Sequence, residues 1–477
     1  MITSGLYKAM MSSMFSRLLT YIFQFLILVL YSRIFTPEQF GVVGSIQVFV
    51  IFFQLIADAG LGPAIINERF FSKNKRDGIF SFTILLAIII SFLFFMFSFT
   101  LNYYYESSGY QYIGAIVSIS VFFCTISIIP ITCYNKDLKF LSLARVDIIS
   151  QLFSLIVTLC FYYLNFGVYA LASKVASYSF FRFILSYSGS SKTEIGRAKI
   201  GREIYHIKSI LNFSLYQFGF DFINYFSRNL DNILIAKFIG PVPLGIYDRA
   251  YQLVRYPLQL TSFAMGNAIQ PSLSKYGSDM KYIIREHNLL SKRLLFIAIP
   301  MSIFIYFNSK YIVDFVLGEQ WRSVSPLISL FSISIPFQVV LSTSGAFFRV
   351  VNKPNLMFLA GCIGAIIFVV FITCSIFTKQ VENVALAISL SFIFNSFSVY
   401  FILFKFAFKE SAKDFIFDIF RTLIVSILPI TFFITITITI KSPFDFNSSL
   451  YEILYSLSIL IIPYALFYKR FKKYLSN

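Results

Sequence analysis

The stretch Ser32–Gly41 (SRIFTPEQFG) aligns without a gap on Ala236–Gly245 (AKFIGPVPLG), 204 positions further along the chain. The offset pairs one proline and one glycine of each copy: Pro37 with Pro241, and Gly41 with Gly245. Such matches are informative because the chain has only 14 prolines and 21 glycines among 477 residues. Each copy joins two apolar stretches, so we interpret both as hinges in a duplicated helix bundle. Many transporters are built from such repeats, with the substrate site between the halves; the alternative is a biased composition that aligns with itself.

Long apolar stretches recur on both sides of each hinge. Hydrophobic residues make up 57% of the chain and the mean hydropathy is +0.76, which excludes an ordinary soluble domain. We predict an all-α integral membrane protein with about fourteen transmembrane helices, since these stretches are near the length that crosses hydrocarbon as helix. They lie roughly at 14–34, 41–61, 79–100, 111–132, 143–163, 166–187, 211–238, 244–272, 293–316, 324–347, 355–377, 384–404, 417–440 and 450–468. The tract 431–440 alternates like a strand, but we interpret it as part of the thirteenth helix.

The repeat predicts the domain plan. Two six-helix lobes are expected, related by a pseudo-twofold axis along the membrane normal because six is an even number of spans. The predicted parts are an N-lobe at 1–187, a cytoplasmic linker at 188–210, a C-lobe at 211–405, and two accessory helices with a basic cytoplasmic tail at 406–477.

The net charge of +18 does not indicate nucleic-acid binding. Most of the Lys and Arg residues fall in alternate connections between the apolar stretches, which is the enrichment expected of cytoplasmic loops. We therefore predict that the chain is a multi-pass membrane protein, that both termini are cytoplasmic, and that no nucleic acid is a partner.

No catalytic or metal-binding set is visible in the sequence. A phosphate-binding loop of the form GxxxxGK[ST] does not occur, and the acids of the predicted outer loops are scattered. We expect His206 and His287 to lie in basic cytoplasmic loops, which leaves no histidine for a metal site. The five cysteines lie in or at the ends of apolar stretches, so no disulfide framework is expected. The chain is predicted to be a transporter, without enzymatic activity, cofactor or metal.

Polar side chains recur every three or four residues in the helices beside the second hinge, and that spacing places them on one helix face. In the seventh predicted helix they are Gln217, Asp221, Asn224, Arg228 and Asp231. In the eighth they are Asp248, Gln252, Arg255, Gln259 and Ser262. The first half repeats the pattern more weakly through Arg17, Gln24, Asp58, Lys174 and Arg182. Such faces are not tolerated against lipid, so helices 1, 2, 7 and 8, with 6, are predicted to enclose a hydrated central cavity.

Lys174, Arg228 and Arg255 lie near mid-membrane by residue counting. Three cations at that depth need an anion, and a pyrophosphate or acidic sugar would provide one. The predicted substrate-binding residues are Arg228, Arg255, Lys174, Arg17, Gln24, Gln217, Asn224 and Gln252. Two alternatives stay open: Arg228 can pair with Asp221 or Asp231, and the side chains of Arg17, Asp58 and Arg182 can reach the membrane interface from helix ends. Asp221, Asp231 and Asp58 are the candidates for coupling to H⁺ or Na⁺; Asp221 is the best placed, although it can instead pair with Arg17.

Several signatures resemble one family. They are Arg33–Gly41 (RIFTPEQFG), Ala57–Gly62 (ADAGLG), Leu230–Gly240, Leu244–Tyr251 (LGIYDRAY), Pro271–Ser274 and Phe315–Trp321 (FVLGEQW). Together they are similar to the Wzx-type flippases of the polysaccharide transporter family, within the multidrug/oligosaccharidyl-lipid/polysaccharide exporter superfamily. The resemblance covers most of the first 350 residues.

That resemblance implies flipping of an undecaprenyl-pyrophosphate-linked oligosaccharide across the bacterial cytoplasmic (inner) membrane, for O-antigen, capsule or exopolysaccharide synthesis. It implies two lobes that alternate between inward-open and outward-open states, driven by an ion gradient or the membrane potential. It also implies cationic cavity residues as substrate ligands, an inference extended here to Arg228, Arg255 and Lys174, and more loosely to Arg17. A polysaccharide polymerase and a chain-length regulator are expected partners, besides membrane lipids.

Two other functions compete with this one. An ion-coupled multidrug antiporter of the same superfamily should favour acidic cavity residues, whereas cations dominate at mid-depth here. A membrane glycan polymerase or lipid-sugar transferase needs a long outer loop with catalytic residues, and the longest predicted outer loop runs only from about Asn308 to Ser323.

Overall fold

The computed structural model describes most of the chain. The described residues are 4–68, 71–106, 108–207, 218, 222, 225, 229–273, 279–439, 449–466 and 471. Backbone contacts divide the chain into two compact units, Met1–Gly245 and Ile246–Asn477. The division falls a few residues inside one helix that starts at Pro241. Helix 229–238 and the second hinge thus cluster with the first unit, whereas the lobe boundary at 188–210 remains a prediction.

The described part of the first unit consists mainly of helices. Its helices are α1 (Ser4–Ile34), α2 (Pro37–Asp58), α3 (Leu61–Asn67), α4 (Lys73–Tyr104), α5 (Tyr110–Ile126), α6 (Ile128–Lys136), α7 (Phe140–Tyr163), α8 (Val168–Gly189) and α9 (229–238). The most extensive packing joins α4 to α5, α7 to α8, and α5 to α8. Because successive helices run up and down, the turns between them lie at two opposite ends of the unit. The hinge end carries the turns at 35–36, 105–106, 108–109 and 164–167. The opposite end carries 59–68, 71–72, 137–139 and 190–207, and is called the strap end after the last of these segments.

The first hinge is a well-specified helix start. Thr36 is the N-cap of α2: its hydroxyl accepts a hydrogen bond from the backbone N–H of Gln39, and the Gln39 side chain accepts one from the Thr36 N–H. This reciprocal capping box satisfies two backbone donors that the first turn leaves open. Pro37 follows at the first helical position, where its missing N–H costs nothing. The local sequence therefore determines where the chain reverses.

The described part of the second unit also consists mainly of helices. It contains most of α10 (Pro241–Leu273), followed by α11 (Met280–Val316), α12 (Ser325–Ser332), α13 (Ile335–Val350), α14 (Pro354–Ile376), α15 (Val381–Ile402), α16 (Lys413–Thr439) and α17 (Ser449–Leu466). The long helix α11 packs against α12, α13, α16 and α17, and α14 packs against α15. The strand-like tract at 431–440 is helical through Thr439, as predicted.

The prediction of an all-α membrane protein is confirmed. Within the described residues no strand occurs, and eight helices are long and apolar enough to cross a membrane, or up to ten if two bent pairs each count as one span. One bent pair joins Glu319–Ser332 to Ile335–Val350 at 57°. The count of fourteen remains a prediction.

The segment predicted to be a linker is packed over much of its length. Residues 190–207, here called the strap, contain two short 3-10 turns, Ser190–Lys192 and Ile204–Ile207. Ala198 and Ile207 are buried in a core cluster together with Leu61, Ile65 and Phe80. The strap therefore belongs structurally to the first unit.

Candidate substrate-binding residues and the paired hinges

The four predicted hinge residues lie together in the first unit. A Cβ atom placed on Gly41 would overlap the carbonyl oxygen of Pro241 and lie 3.1 Å from its Cα. A Cβ placed on Gly245 would overlap the carbonyl oxygen of Pro37 and lie 2.9 Å from the backbone nitrogen of Gly41. Each glycine thus admits the backbone of the other copy, an approach that only a residue without a side chain permits.

Further contacts at this end of the unit join the two copies. The Tyr225 hydroxyl donates a hydrogen bond to the Val48 carbonyl, and Phe52 contacts the Tyr225 ring at 6.0 Å between centroids. Lys237 donates to the Tyr104 carbonyl and approaches Glu106 at 3.6 Å. The paired hinges are therefore part of a larger contact of α2 and the end of α4 with Tyr225 and the segment 229–245.

Lys174 is half-buried in α8 and stacks on an aromatic ring of α1. Its Nζ lies 4.5 Å from the centroid of Tyr31, whose side chain is almost fully buried and whose hydroxyl donates to Thr158 at 3.4 Å. The Ser154 hydroxyl donates to the Lys174 carbonyl at 2.8 Å, which ties α7 to α8 at this level. A cation over a tyrosine face gains about 0.5–2 kcal/mol, so the ammonium is positioned by the packing of α1, α7 and α8.

Arg255 lies on α10 in the second unit. Its guanidinium lies 5.9 Å from the Tyr251 ring, and the side chain as a whole is exposed. Gln252, one turn earlier, is held by two hydrogen bonds: its Nε2 donates to Asp248 at 2.9 Å, and its Oε1 accepts from Arg249 at 3.0 Å. Arg249 is buried and also contacts Asp248. Gln252 therefore belongs to a structural network, whereas Arg255 is exposed.

The remaining predicted site residues fall into two groups. Gln217, Asp221, Asn224 and Arg228 lie outside the described residues. The others are in the first unit and do not share one environment. Arg17 is exposed on α1, Gln24 and Asp58 are half-buried, and Asp231 is buried, with its Oδ1 accepting a hydrogen bond from the Asn232 N–H at 2.8 Å.

One ion pair in the first unit was not predicted from the sequence. Arg182 is predicted to lie on the polar cavity face, with the membrane interface as the alternative; in the structure it donates to Asp147 of α7 at 2.7 Å. The Tyr178 hydroxyl also donates to Asp147, at 3.3 Å. The sequence did indicate a need for a partner, because Asp147 is an acid within the predicted span 143–163. Which residue pairs with it could not be predicted, since Arg182 is 35 positions away and the pairing depends on how α7 packs against α8. The interface interpretation of Arg182 is therefore wrong.

The prediction that His287 lies in a basic loop is also wrong. It lies inside α11, fully buried, with rings of Phe347, Phe404 and Phe415 within 5.5 Å of its own. Its Nδ1 is 3.0 Å from the Asn288 Oδ1, while its Nε2 has no hydrogen-bond partner among the described residues. Of the charged neighbours in sequence, which indicated a loop, Lys281, Arg285 and Arg293 are exposed on α11, whereas Lys292 is buried.

Both the sequence and the fold of this chain are similar to those of known proteins. The profile of a family described as polysaccharide biosynthesis protein matches residues 30–326. The chain belongs to this family. The match covers both hinges and reaches just beyond the Phe315–Trp321 signature.

Relatives in bacteria support that assignment. An uncharacterized membrane protein in the cps region of Klebsiella pneumoniae is 24% identical over 409 residues, covering 82% of this chain and 81% of the relative. The teichuronic acid biosynthesis protein TuaB of Bacillus subtilis (strain 168) is 23% identical over 313 residues, covering 65% of this chain and 63% of TuaB. The lipopolysaccharide biosynthesis protein WzxC of Escherichia coli (strain K12) is 23% identical over 195 residues, which is 41% of this chain and 39% of WzxC.

Solved structures identify the fold. The lipid II flippase MurJ in an inward closed conformation matches with a TM-score of 0.75 at 17% identity, covering 99% of this chain and 100% of MurJ. An inward-facing multidrug resistance transporter of the MATE family matches with a TM-score of 0.54 at 14% identity, covering 85% of this chain and 95% of the transporter. The chain has the fold of transporters rather than of enzymes, and it is a multi-pass membrane protein of polysaccharide biosynthesis.

Proposed function

We propose that this protein flips an undecaprenyl-pyrophosphate-linked oligosaccharide from the cytoplasmic to the outer leaflet of a bacterial inner membrane by alternating access. The family, the relatives in surface-glycan synthesis and the MurJ fold support this class of function. The observation that carries the proposal is the position of Arg255. It lies about 16 Å along α10 from Leu244 and is exposed rather than buried against protein.

An exposed arginine at that depth needs a polar environment. Placing it in hydrocarbon costs roughly 3 kcal/mol or more, so its position favours a hydrated cavity. A guanidinium binds pyrophosphate with two parallel hydrogen bonds, which a point charge does not match. In the first unit, Lys174 is the comparable group: the Tyr31 ring positions it, and it would serve a phosphate as a point charge.

Arg255→Ala should abolish surface glycan while the protein stays in the membrane at normal abundance. One charge-assisted contact contributes about 1.5–3 kcal/mol, which is roughly ten- to a hundredfold in substrate affinity. Arg255→Lys should retain part of the activity, since the charge remains and the fork is lost. Arg285→Ala is the matched control, because Arg285 is an exposed arginine near the start of α11. The direct assay is translocation of a fluorescent undecaprenyl-pyrophosphate glycan in proteoliposomes; normal flipping by Arg255→Ala contradicts the proposal.

The MATE fold match keeps a multidrug antiporter as the second candidate. Cationic drugs should be repelled by Arg255 and Lys174, so an antiporter should gain drug transport when either becomes neutral. A flippase should instead lose glycan transport in the same variants. Measuring both activities with Arg255→Ala therefore separates the two functions.

The coupling ion is part of the same proposal. Export of a dianionic headgroup is favoured by an inside-negative potential, by about 2.3 kcal/mol per charge per 100 mV. If H⁺ or Na⁺ is coupled in addition, we propose Asp221 as its site, with Asp231 and Asp58 as further candidates. Asp221→Asn should then flip substrate without dependence on a pH or sodium gradient. Retained gradient dependence excludes Asp221 and assigns it a structural role.

A further inference from the structure

The strap is attached to the first unit by specific hydrogen bonds. The Lys199 backbone N–H donates to Asp77 Oδ1 at 2.8 Å, and the Gly201 N–H donates to the Ser81 hydroxyl at 2.8 Å. Arg76 donates to the Ile195 carbonyl. Together with buried Ala198 and Ile207, these bonds fix the path of residues 195–207 along the first turns of α4.

The depth of the strap follows from the sequence of α4. The helix starts with four charged residues among its first five, Lys73, Lys75, Arg76 and Asp77, and no charged residue occurs again from Gly78 to Tyr104. The boundary between charged and uncharged residues is where such a helix enters the hydrocarbon core. Because the strap bonds to Asp77 and Ser81, Lys199 and Gly201 lie at this boundary.

The helix beside the strap has a lipid-facing side. Apolar residues of α4 recur on one exposed stripe that continues away from the strap end, at Leu85, Ile88, Phe92, Met96 and Phe99. Side chains spaced in this way share one helix face. The strap therefore packs against a helix at the edge of the unit, where membrane lipids are its neighbours.

The exposed surface of the strap combines cations with apolar groups. Ile200 is 83% exposed and Tyr205 is 62% exposed. Lys199 and Arg202 flank Ile200, both are exposed, and among the described residues neither forms an ion pair. Single exposed apolar side chains are ordinary on a soluble surface. At the depth of the lipid headgroups, however, tyrosine, lysine and arginine are the residues that anchor a protein to the interface.

We infer that the strap is a docking surface for anionic phospholipids of the leaflet at the strap end. Lys199 and Arg202 bind the headgroup phosphates, while Ile200 and Tyr205 enter the boundary between headgroups and acyl chains. The depth of the strap at the membrane boundary and its exposed positive charges favour an anionic lipid over a cytosolic protein as the partner. Each basic residue near an anionic leaflet strengthens lipid binding by about fivefold.

The test uses the full-length protein in nanodiscs with a single tryptophan. The chain has one tryptophan, Trp321, so Trp321→Phe gives a silent background for Ile200→Trp. Emission from Ile200→Trp should be blue-shifted, quenched by lipids brominated near the headgroup, and protected from aqueous acrylamide. The matched control is Glu194→Trp, an exposed strap position whose backbone bonds to Asp137 beyond the end of α6; acrylamide should quench it and brominated lipid should not.

Lipid preference is tested separately by removing the two cations. Lys199→Gln/Arg202→Gln should lower the phosphatidylglycerol that co-purifies with the protein by roughly 25-fold relative to phosphatidylcholine. A charge-matched control, Lys281→Gln/Arg285→Gln, removes two exposed cations from the second unit and should leave this preference near wild type. Acrylamide quenching of Ile200→Trp without quenching by brominated lipid would overturn the inference and favour a cytosolic protein partner. Unchanged phosphatidylglycerol retention in the Lys199/Arg202 variant would overturn it as well.

Discussion

Substituting one glycine of the paired hinges should change which conformation the protein adopts. A methyl group on Gly41 overlaps the Pro241 carbonyl, and real Cβ atoms essentially never approach another heavy atom within 3.0 Å. The obstacle is backbone, which cannot rotate away as a side chain does. Gly44, three residues later on α2, is the matched control because its added Cβ would meet only Leu244 Cδ2, at 3.7 Å, in ordinary van der Waals contact.

The size of the effect follows from packing. In Gly41→Ala the Pro241 backbone must move on the order of 1 Å, and overpacking of this kind costs about 1–3 kcal/mol. The cost falls only on conformations in which the hinges touch. Their population relative to conformations with separated hinges should therefore drop by roughly 5- to 150-fold. The gain in helix propensity from glycine to alanine, about 0.5–1 kcal/mol, acts on every conformation in which α2 is a helix and does not alter this ratio.

Distances between spin labels measure that ratio directly. Glu38→Cys and Val242→Cys, both exposed and each next to a hinge proline, carry the labels in a background without the five native cysteines. Pulsed electron resonance in nanodiscs should show a short distance for the native hinges and for Gly44→Ala. In Gly41→Ala a longer distance should dominate. Identical distributions in the Gly41 and Gly44 variants, with both proteins folded and monodisperse, would refute the reasoning.

Three further outcomes test other parts of the structure. Asp147→Asn or Arg182→Gln alone should destabilise the protein by about 3 kcal/mol, because each leaves a largely buried charge unmatched. In thermal melts, the double variant should lose less stability than the two single variants combined. His287→Phe should melt at or above the wild-type temperature, since it removes a buried nitrogen without a partner, whereas His287→Ala should lose about 3 kcal/mol through the cavity; a lower melting temperature for His287→Phe contradicts this. Ser191→Cys should resist a membrane-impermeant thiol reagent in intact cells while Tyr163→Cys reacts, and labelling of Ser191→Cys from outside would reverse the predicted topology.

The helices were predictable because membrane crossing imposes a minimum apolar length. The predicted span 79–100 lies inside α4 at Lys73–Tyr104. The helix extends past the apolar run because Ser72 caps it, accepting a hydrogen bond from the Lys75 N–H at 3.2 Å. Hydropathy identifies the segment in the membrane, whereas capping decides where the helix begins. The two signals therefore differ by several residues at the strap end.

The prediction for His287 was wrong because it considered the charge of the segment and not its helical periodicity. The segment around His287 is rich in Lys, Arg and Glu, which indicated a loop. Its buried positions Ile283, His287, Ser291, Leu294 and Ala298 are spaced by three or four residues, which is the pattern of one helix face. That pattern was present in the sequence and would have placed His287 on the core side of α11. By contrast, the Asp147–Arg182 pair and the burial of Ala198 depend on tertiary packing.

The repeat predicts more than similar hinges. When two copies of one element meet across a local twofold axis, a residue i of the first copy contacts residue j of the second, and residue j of the first contacts i of the second. Gly41 meets Pro241 and Gly245 meets Pro37, which is this reciprocal arrangement. The sequence offset and these two contacts thus describe the same local twofold relation between the two hinges. Because both glycines serve the same contact, Gly245→Ala should shift the label distances as Gly41→Ala does. The double variant should add little, since the first methyl group has already separated the backbones that the second would push apart.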